Sequence, residues 1–192
     1  MDFEVKIIEY LQAGASDFWT FFFKVVSILG SYVGIVALLI AAFFICRKRF
    51  ILIGGALGGG LIVNIILKHI IKRDRPYVAY EQIAQLGTGS GYSFPSSHAV
   101  CATILAVFLC YLVFYKAKKK STKVLTIIVS AISVMLVCLS RMFLGLHYFT
   151  DVCGGIVVGV IVSVVMILCY KWFLEKWLSK IKFLNNKKEK DE

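Results

Sequence analysis

Residues 140–151 read Ser-Arg-Met-Phe-Leu-Gly-Leu-His-Tyr-Phe-Thr-Asp and join two long apolar runs, 124–143 and 149–172. Each run is near the roughly 20 residues that a helix needs to cross a bilayer. The polar residues between them therefore stand at the mouth of a membrane helix. His147 and Asp151 are four apart, so on a helix they share a face and can touch. A carboxylate placed there accepts the Nδ1 proton of the imidazole and leaves Nε2 bare as an aimed nucleophile. Arg141 and Ser140 can return from the adjoining turn as a cation and a hydroxyl. Nucleophile, orienting carboxylate and anion clamp suit chemistry on phosphate. Taken alone, the stretch fits an interfacial His-Tyr-Asp cluster at a helix end equally well.

Composition supplies the setting. Of 192 residues, 59% are hydrophobic and 17% charged, with two prolines. These values lie outside the range of soluble domains and indicate a polytopic membrane protein. Further apolar runs at 28–46, 50–71 and 97–115 bring the expected spans to five. Residues 1–31 differ: 5–11 mixes apolar residues with Lys6 and Glu9, and 18–29 is apolar and aromatic but short of a span. They are expected to lie in the interface or re-enter it, with a broken sixth span as the alternative. The expected fold is all-α: one polytopic transmembrane helix bundle over 1–192, with five to six spans and an interfacial N-terminal helical segment.

The net charge of +11 would suggest nucleic acid in a soluble protein. Here the cations gather between spans, at Arg47, Lys48 and Arg49, at Lys116, Lys118, Lys119, Lys120 and Lys123, and in the tail 173–192. By alternation all three clusters fall on one side, which the positive-inside rule makes cytoplasmic. No nucleic-acid partner is expected. The long connection 72–96, with Gly87, Gly89 and Gly91, then lies outside as a flap, with Tyr77, Tyr80 and Tyr92 as headgroup-level anchors. Six cysteines sit in or beside apolar runs without ligand spacing and read as reduced small hydrophobes. The acidic N-terminus lacks the basic region of a cleavable signal peptide. Gly54, Gly55, Gly58, Gly59 and Gly60, and Gly155 with Gly159, read as bare faces where helices approach closely.

Two further polar stretches end or open spans. Lys68-His-Ile-Ile-Lys-Arg-Asp-Arg75-Pro76 closes one, and Phe94-Pro95-Ser96-Ser97-His98 opens the next. With Ser140, Arg141, His147 and Asp151 they resemble the three signature segments of the type 2 phosphatidic acid phosphatase (lipid phosphate phosphatase) superfamily. That pattern is Lys, six residues, Arg-Pro; then Pro-Ser-Gly-His; then Ser-Arg, five residues, His, three residues, Asp. Ser97 stands where the pattern usually has glycine. The resemblance covers roughly residues 68–151, in order and in spacing.

It implies a membrane lipid phosphatase that works through a phosphohistidine without a metal or other cofactor. Lys68, Arg75 and Arg141 are expected to neutralise the phosphoryl oxygens, arginine as a fork and lysine as a point charge. Amides at the helix start after Pro95, with Ser96 and Ser97, form an anion site. His98 is placed as general acid and then base, His147 as nucleophile and Asp151 as its orienter. Pro76, Pro95 and Ser140 support them. His69 points about 100° away from Lys68 and reads as structural, and Lys72 and Arg73 as interface or headgroup contacts. The expected substrates are undecaprenyl diphosphate, phosphatidylglycerol phosphate or phosphatidic acid, met on the outer face of the cytoplasmic membrane. A lipid-to-lipid phosphotransferase with the same site, and a non-catalytic binder of anionic lipid, are the alternatives.

Topology is directly measurable. Reporter fusions after Lys120 and at the C-terminus should report the cytoplasm and fusions near Thr88 the exterior. A cytoplasmic signal at Thr88 would invert the arrangement.

Overall fold

The computed structural model describes residues 3–28 and 50–191, and between them only Gly30, Ser31, Val36, Leu39, Ile40 and Phe43. For Phe50, Ile51 and residues 174–191 it describes the backbone alone. The span expected at 28–46 and the cluster at Arg47, Lys48 and Arg49 lie largely outside the described residues.

Helices run in the order α1 (Phe3–Ala13), α2 (Asp17–Ile28), α3 (Phe50–Ile71), α4 (Pro76–Ala79), α5 (Ser97–Lys116), α6 (Lys120–Phe143) and α7 (Phe149–Asp191). Among the described residues there is no strand, and the architecture is the all-α membrane bundle that the apolar runs imply. Among the described residues, four stretches are long and apolar enough to cross a membrane: Leu52–Ala79, which begins in α3, then α5, α6 and Phe149–Phe173 of α7. α1 and α2 are too short. The backbone of α7 stays helical well beyond the expected end of the span near residue 172.

Local chemistry accounts for the breaks. Pro76 opens α4 in the first-turn position, where its missing N–H costs nothing. α3 ends at Lys72, whose φ of 50 lies in the left-handed region and costs a side-chain-bearing residue about 1–2 kcal/mol. Gly145 has a φ of 73 and sits against the Ala84 carbonyl. Only a residue without Cβ makes that turn freely, and it returns the chain from α6 to His147.

α5 is central, packing against α3, α6 and α7. Lipid tails are as apolar as leucine, so close van der Waals contact has to hold such helices together. Gly155 and Gly159 provide it. A Cβ on Gly155 would meet the Ala99 Cβ and Ser96 O at 2.7 Å, and one on Gly159 would meet the Thr103 Cβ at 2.7 Å. On α3 the bare face is used in part: Gly60 faces Ile104 and Val100, whereas Gly54 and Gly58 meet nothing within 4 Å among the described residues. α1 buries Val5 and Ile8 in a cluster with Ala99, Cys138, Met142 and Val152, and α2 packs on α6 with Phe23 and Phe143 rings 4.5 Å apart. The described cysteines Cys101, Cys110, Cys138, Cys153 and Cys169 are free thiols.

These contacts separate two glycine faces experimentally. Gly159→Leu should destabilise the detergent-solubilised protein by about 1–3 kcal/mol, the usual cost of overpacking. Gly58→Leu should leave the melting temperature nearly unchanged.

Candidate active site

The turn between α6 and α7 carries His147, and the first turn of α7 carries Asp151. Both are almost fully buried, at 2% and 0% exposure. Asp151 Oδ2 accepts the Tyr148 amide at 2.8 Å and a very short bond from the Ser93 hydroxyl, and lies 3.5 Å from His147 Nδ1. Ser93 Oγ is itself 3.4 Å from Nδ1. The carboxylate therefore reaches the imidazole directly and through a hydroxyl that accepts from Nδ1–H and donates to Oδ2. Nε2 faces the other way, toward Arg75 Nη1 at 3.4 Å. Burial, opposed by the Asp151 hydrogen bond and reinforced by Arg141 and Arg75, pushes the His147 imidazole down to about 3. At neutral pH it is uncharged, and its Nε2 lone pair is the acceptor that faces Arg75 Nη1.

Nε2 looks into a cavity of about 310 Å³. Lys68, Arg75, Arg141, Asn64, Ser97 and His98 line it with His147, and no acidic residue is among its lining residues. Lys68 Nζ donates to the carbonyls of Tyr92 and Ser93 at 2.5 and 3.1 Å. Arg75 donates to Gly91 O at 2.9 Å, Ser90 O at 2.7 Å and Leu146 O at 3.0 Å. These two cations tie the end of the 72–96 connection to the cavity that they line. Arg141 is freer. Its Nη1 donates to Ser27 on α2 at 2.6 Å, and its buried Nε has no partner among the described residues.

The helix start at α5 differs from the expected cap. Ser96 makes no side-chain cap bond; its amide donates to Asp151 O at 3.0 Å, and its buried hydroxyl is unpartnered and does not line the cavity. Ser97 does line it, with its hydroxyl on Asn64 Oδ1 at 2.7 Å, and Asn64 in turn donates to Pro95 O at 3.0 Å. The amides of Ser97 and His98, in the first turn, have no carbonyl within their own helix to bond. Ser140 turns its hydroxyl back to Val137 O at 2.6 Å instead of offering it to the cavity. Pro76 is buried at the start of α4, and Pro95 follows a cis peptide bond.

His69 turns away and donates to Ile65 O at 2.8 Å. Tyr77 and Tyr80 pack into the core, and Tyr77 pins the 72–96 connection from inside through Gly89 O at 3.0 Å. Arg73 corrects the surface reading: it grips Asp151 Oδ1 at 2.9 Å. Ser93, Asn64 and Ser27 were also missed. Ser93 lies two residues before Pro95, and that proximity was the available signal; Asn64 and Ser27 carried none.

A second cavity, of about 920 Å³, adjoins the first. His98, Arg141 and Thr88 line both, while Phe21, Val25, Ile28, Leu86 and Leu144 give the second an apolar wall.

The family model described as PAP2 superfamily matches residues 49–175, which include all three polar stretches. The chain belongs to the PAP2 superfamily. Phosphatidylglycerophosphatase B of Bacillus subtilis (strain 168) is 32% identical over 124 residues, 63% of this chain and 59% of that protein. Undecaprenyl-diphosphatase BcrC of the same organism is 27% identical over 117 residues, 60% and 55% of the two chains. The PAP2 chain thus spans a little over half the length of these relatives. The crystal structure of a transmembrane PAP2 type phosphatidylglycerolphosphate phosphatase from Bacillus subtilis superposes with a TM-score of 0.76 at 26% identity, covering 90% of this chain and 85% of that one. LpxE of Aquifex aeolicus shares the fold, with a TM-score of 0.73 at 21% identity over 87% and 96% of the two chains.

Ser93 tests the hydroxyl bridge in this PAP2 site. A hydrogen bond to a charged group is worth about 1.5–3 kcal/mol, so Ser93→Ala should slow turnover about ten- to a hundredfold. Steady-state kinetics on purified protein reads it, and an unchanged kcat would assign the orienting role to the direct 3.5 Å contact alone.

Proposed function

We propose that this PAP2 chain is a metal-independent lipid phosphatase that hydrolyses a phosphomonoester or diphosphate of a membrane lipid through a phosphohistidine. One observation carries the reading. An uncharged, oriented imidazole faces a cavity ringed by three cations, in which the buried Arg141 Nε–H lacks a partner. Buried donors without acceptors are costly, and a phosphoryl oxygen is the acceptor that this constellation fits.

His147 Nε2 attacks phosphorus as the bond to the lipid oxygen breaks, and the electron pair leaves with that oxygen. Lys68, Arg75, Arg141 and the first-turn amides of α5 neutralise the equatorial oxygens. His98 delivers the proton to the departing oxygen, then takes one from the water that frees phosphate and restores His147. His98 borders both cavities, which supports placing phosphate in the smaller one and the lipid leaving group along the apolar wall of the larger. Undecaprenyl diphosphate, phosphatidylglycerol phosphate and phosphatidic acid share this chemistry, and the names of the two Bacillus subtilis relatives favour the first two. The positive-inside distribution supports an outward-facing site in the cytoplasmic membrane.

Radiolabelled substrate with purified protein in EDTA tests the cycle. Wild type should turn over and be inhibited by vanadate; His147→Ala should neither turn over nor acquire label. His98→Ala should accumulate labelled protein with a prenyl diphosphate, whose leaving phosphate needs no proton, but form it about 10²–10⁴-fold more slowly from phosphatidic acid. Activity lost to EDTA and restored by magnesium would refute the metal-independent mechanism.

A further inference from the structure

Glu4 lies outside the three signature segments and Arg73 occupies an unspecified position of the first, yet they meet at the catalytic carboxylate. Arg73 Nη1 donates to Asp151 Oδ1 at 2.9 Å and to Thr150 Oγ1 at 2.6 Å, while Nη2 donates to Glu4 Oε2 at 2.6 Å. Glu4 Oε1 accepts the Thr150 amide at 2.7 Å and the Thr150 hydroxyl at 2.8 Å. The guanidinium lies over the Tyr148 ring, 3.8 Å from its centroid, and the Arg73 carbonyl accepts the Ser93 amide at 2.7 Å. Arg73 is thus fixed from α1, from α7 and from the segment that carries Ser93.

We propose that Arg73 and Glu4 are positioning residues of the catalytic centre, which fix the Asp151 carboxylate so that Oδ2 faces His147 and thereby make α1 a working part of the site.

A carboxylate has two equivalent oxygens and rotates about its Cβ–Cγ bond unless both are held. Oδ2 takes the Tyr148 amide, the Ser93 hydroxyl and the imidazole; Arg73 is the partner of Oδ1. Without it the carboxylate is held on one side only, and the tautomer with Nδ1–H is no longer enforced. Arg73 in turn needs Glu4, because a lone guanidinium side chain at 29% exposure swings readily toward water or headgroups. Burial would raise the Glu4 carboxyl, but the Thr150 amide, Arg73 and the Thr150 hydroxyl outweigh it and hold it below the usual carboxylate range. Glu4 is therefore ionised and matched to its partner. The left-handed turn at Lys72, φ 50, directs Arg73 inward from the end of α3.

The inference deepens the proposed phosphatase reading, so its test carries one arm that needs no turnover. Full-length protein is purified as wild type, Glu4→Gln, Arg73→Lys, Arg73→Ala and the Glu4→Gln/Arg73→Ala pair. Arg73→Ala should lower kcat about ten- to a hundredfold, as loss of an orienting outer partner does, with KM within about twofold because the phosphate cradle is untouched. Arg73→Lys and added guanidinium ion should restore part of the rate. The double variant should be no slower than Arg73→Ala, since Glu4 acts through Arg73. In parallel, 15N-labelled histidine reports the His147 tautomer, assigned by loss of its signal in His147→Ala. Wild type should hold the Nδ1–H form, and Arg73→Ala should show a mixture. An unmixed tautomer in Arg73→Ala, or additive losses without guanidinium rescue and with KM rising alongside, would overturn the inference. Wild type without phosphatase activity would remove the proposed function, and the tautomer arm would still decide this one.

Discussion

The Asp151 carboxylate is the constraint on which the rest depends. It has no exposed surface, and it lies at the start of a membrane helix, where water cannot compensate its charge. A buried ion persists only when its lone pairs are met by donors. Here the donors come from the loop after α3 (Arg73), the end of the 72–96 connection (Ser93) and the α6–α7 turn (the Tyr148 amide), with His147 alongside. The backbone carbonyl of the same residue receives the Ser96 amide at the start of α5. One residue thus ties together the ends of the three helices that carry the signature segments, and satisfying it shapes the cavity beside it.

The cations around that cavity obey the same rule. Lys68 and Arg75 would be costly as unpaired charges, and backbone carbonyls of the 72–96 connection meet half of their donors. Those carbonyls neutralise no charge, so the positive field survives for an anion while the hydrogen bonds are satisfied. Among the described residues Arg141 has only Ser27 and keeps an unmet donor, the asymmetry expected of a cation that a ligand completes. The glycines of α7 matter here too. By letting α7 lie against α5 at Gly155 and Gly159, they bring Asp151 beside the α5 start.

Much of this was legible in the sequence because bilayer length and charge alternation are coarse, strong signals. Runs 50–71 and 97–115 became α3 and α5 almost residue for residue. Charged or hydroxyl-bearing residues at span ends drew notice because membranes tolerate few of them, and so Lys68, Arg75, His98, Arg141 and His147 were found and do line one cavity. What stayed hidden were contacts between segments far apart in the chain. Arg73 sits beside Lys72 in a basic run, and nothing local distinguishes the arginine that turns inward from the lysine that does not. Ser140 misled for the opposite reason: its place beside Arg141 suggested the site, whereas inside a helix a serine's nearest acceptor is its own preceding turn. Glu4 read only as part of an acidic N-terminus, since its partners lie 69 and 146 residues away.

The two arginines flanking Asp74 divide the work on His147. Arg75 stands at Nε2, and Arg73 reaches Nδ1 only through Asp151. A bare carboxylate beside an imidazole stabilises the protonated ring, and a protonated ring has no lone pair with which to attack. A guanidinium on the far oxygen draws off part of that negative field while leaving the near oxygen to orient Nδ1–H. Arg75 and Arg141 oppose protonation from the cavity side, and burial does so from all sides. The result is an imidazole that is aimed by an acid yet stays neutral. Such a pair retains its orientation without becoming an ion pair, as the proposed nucleophilic role requires.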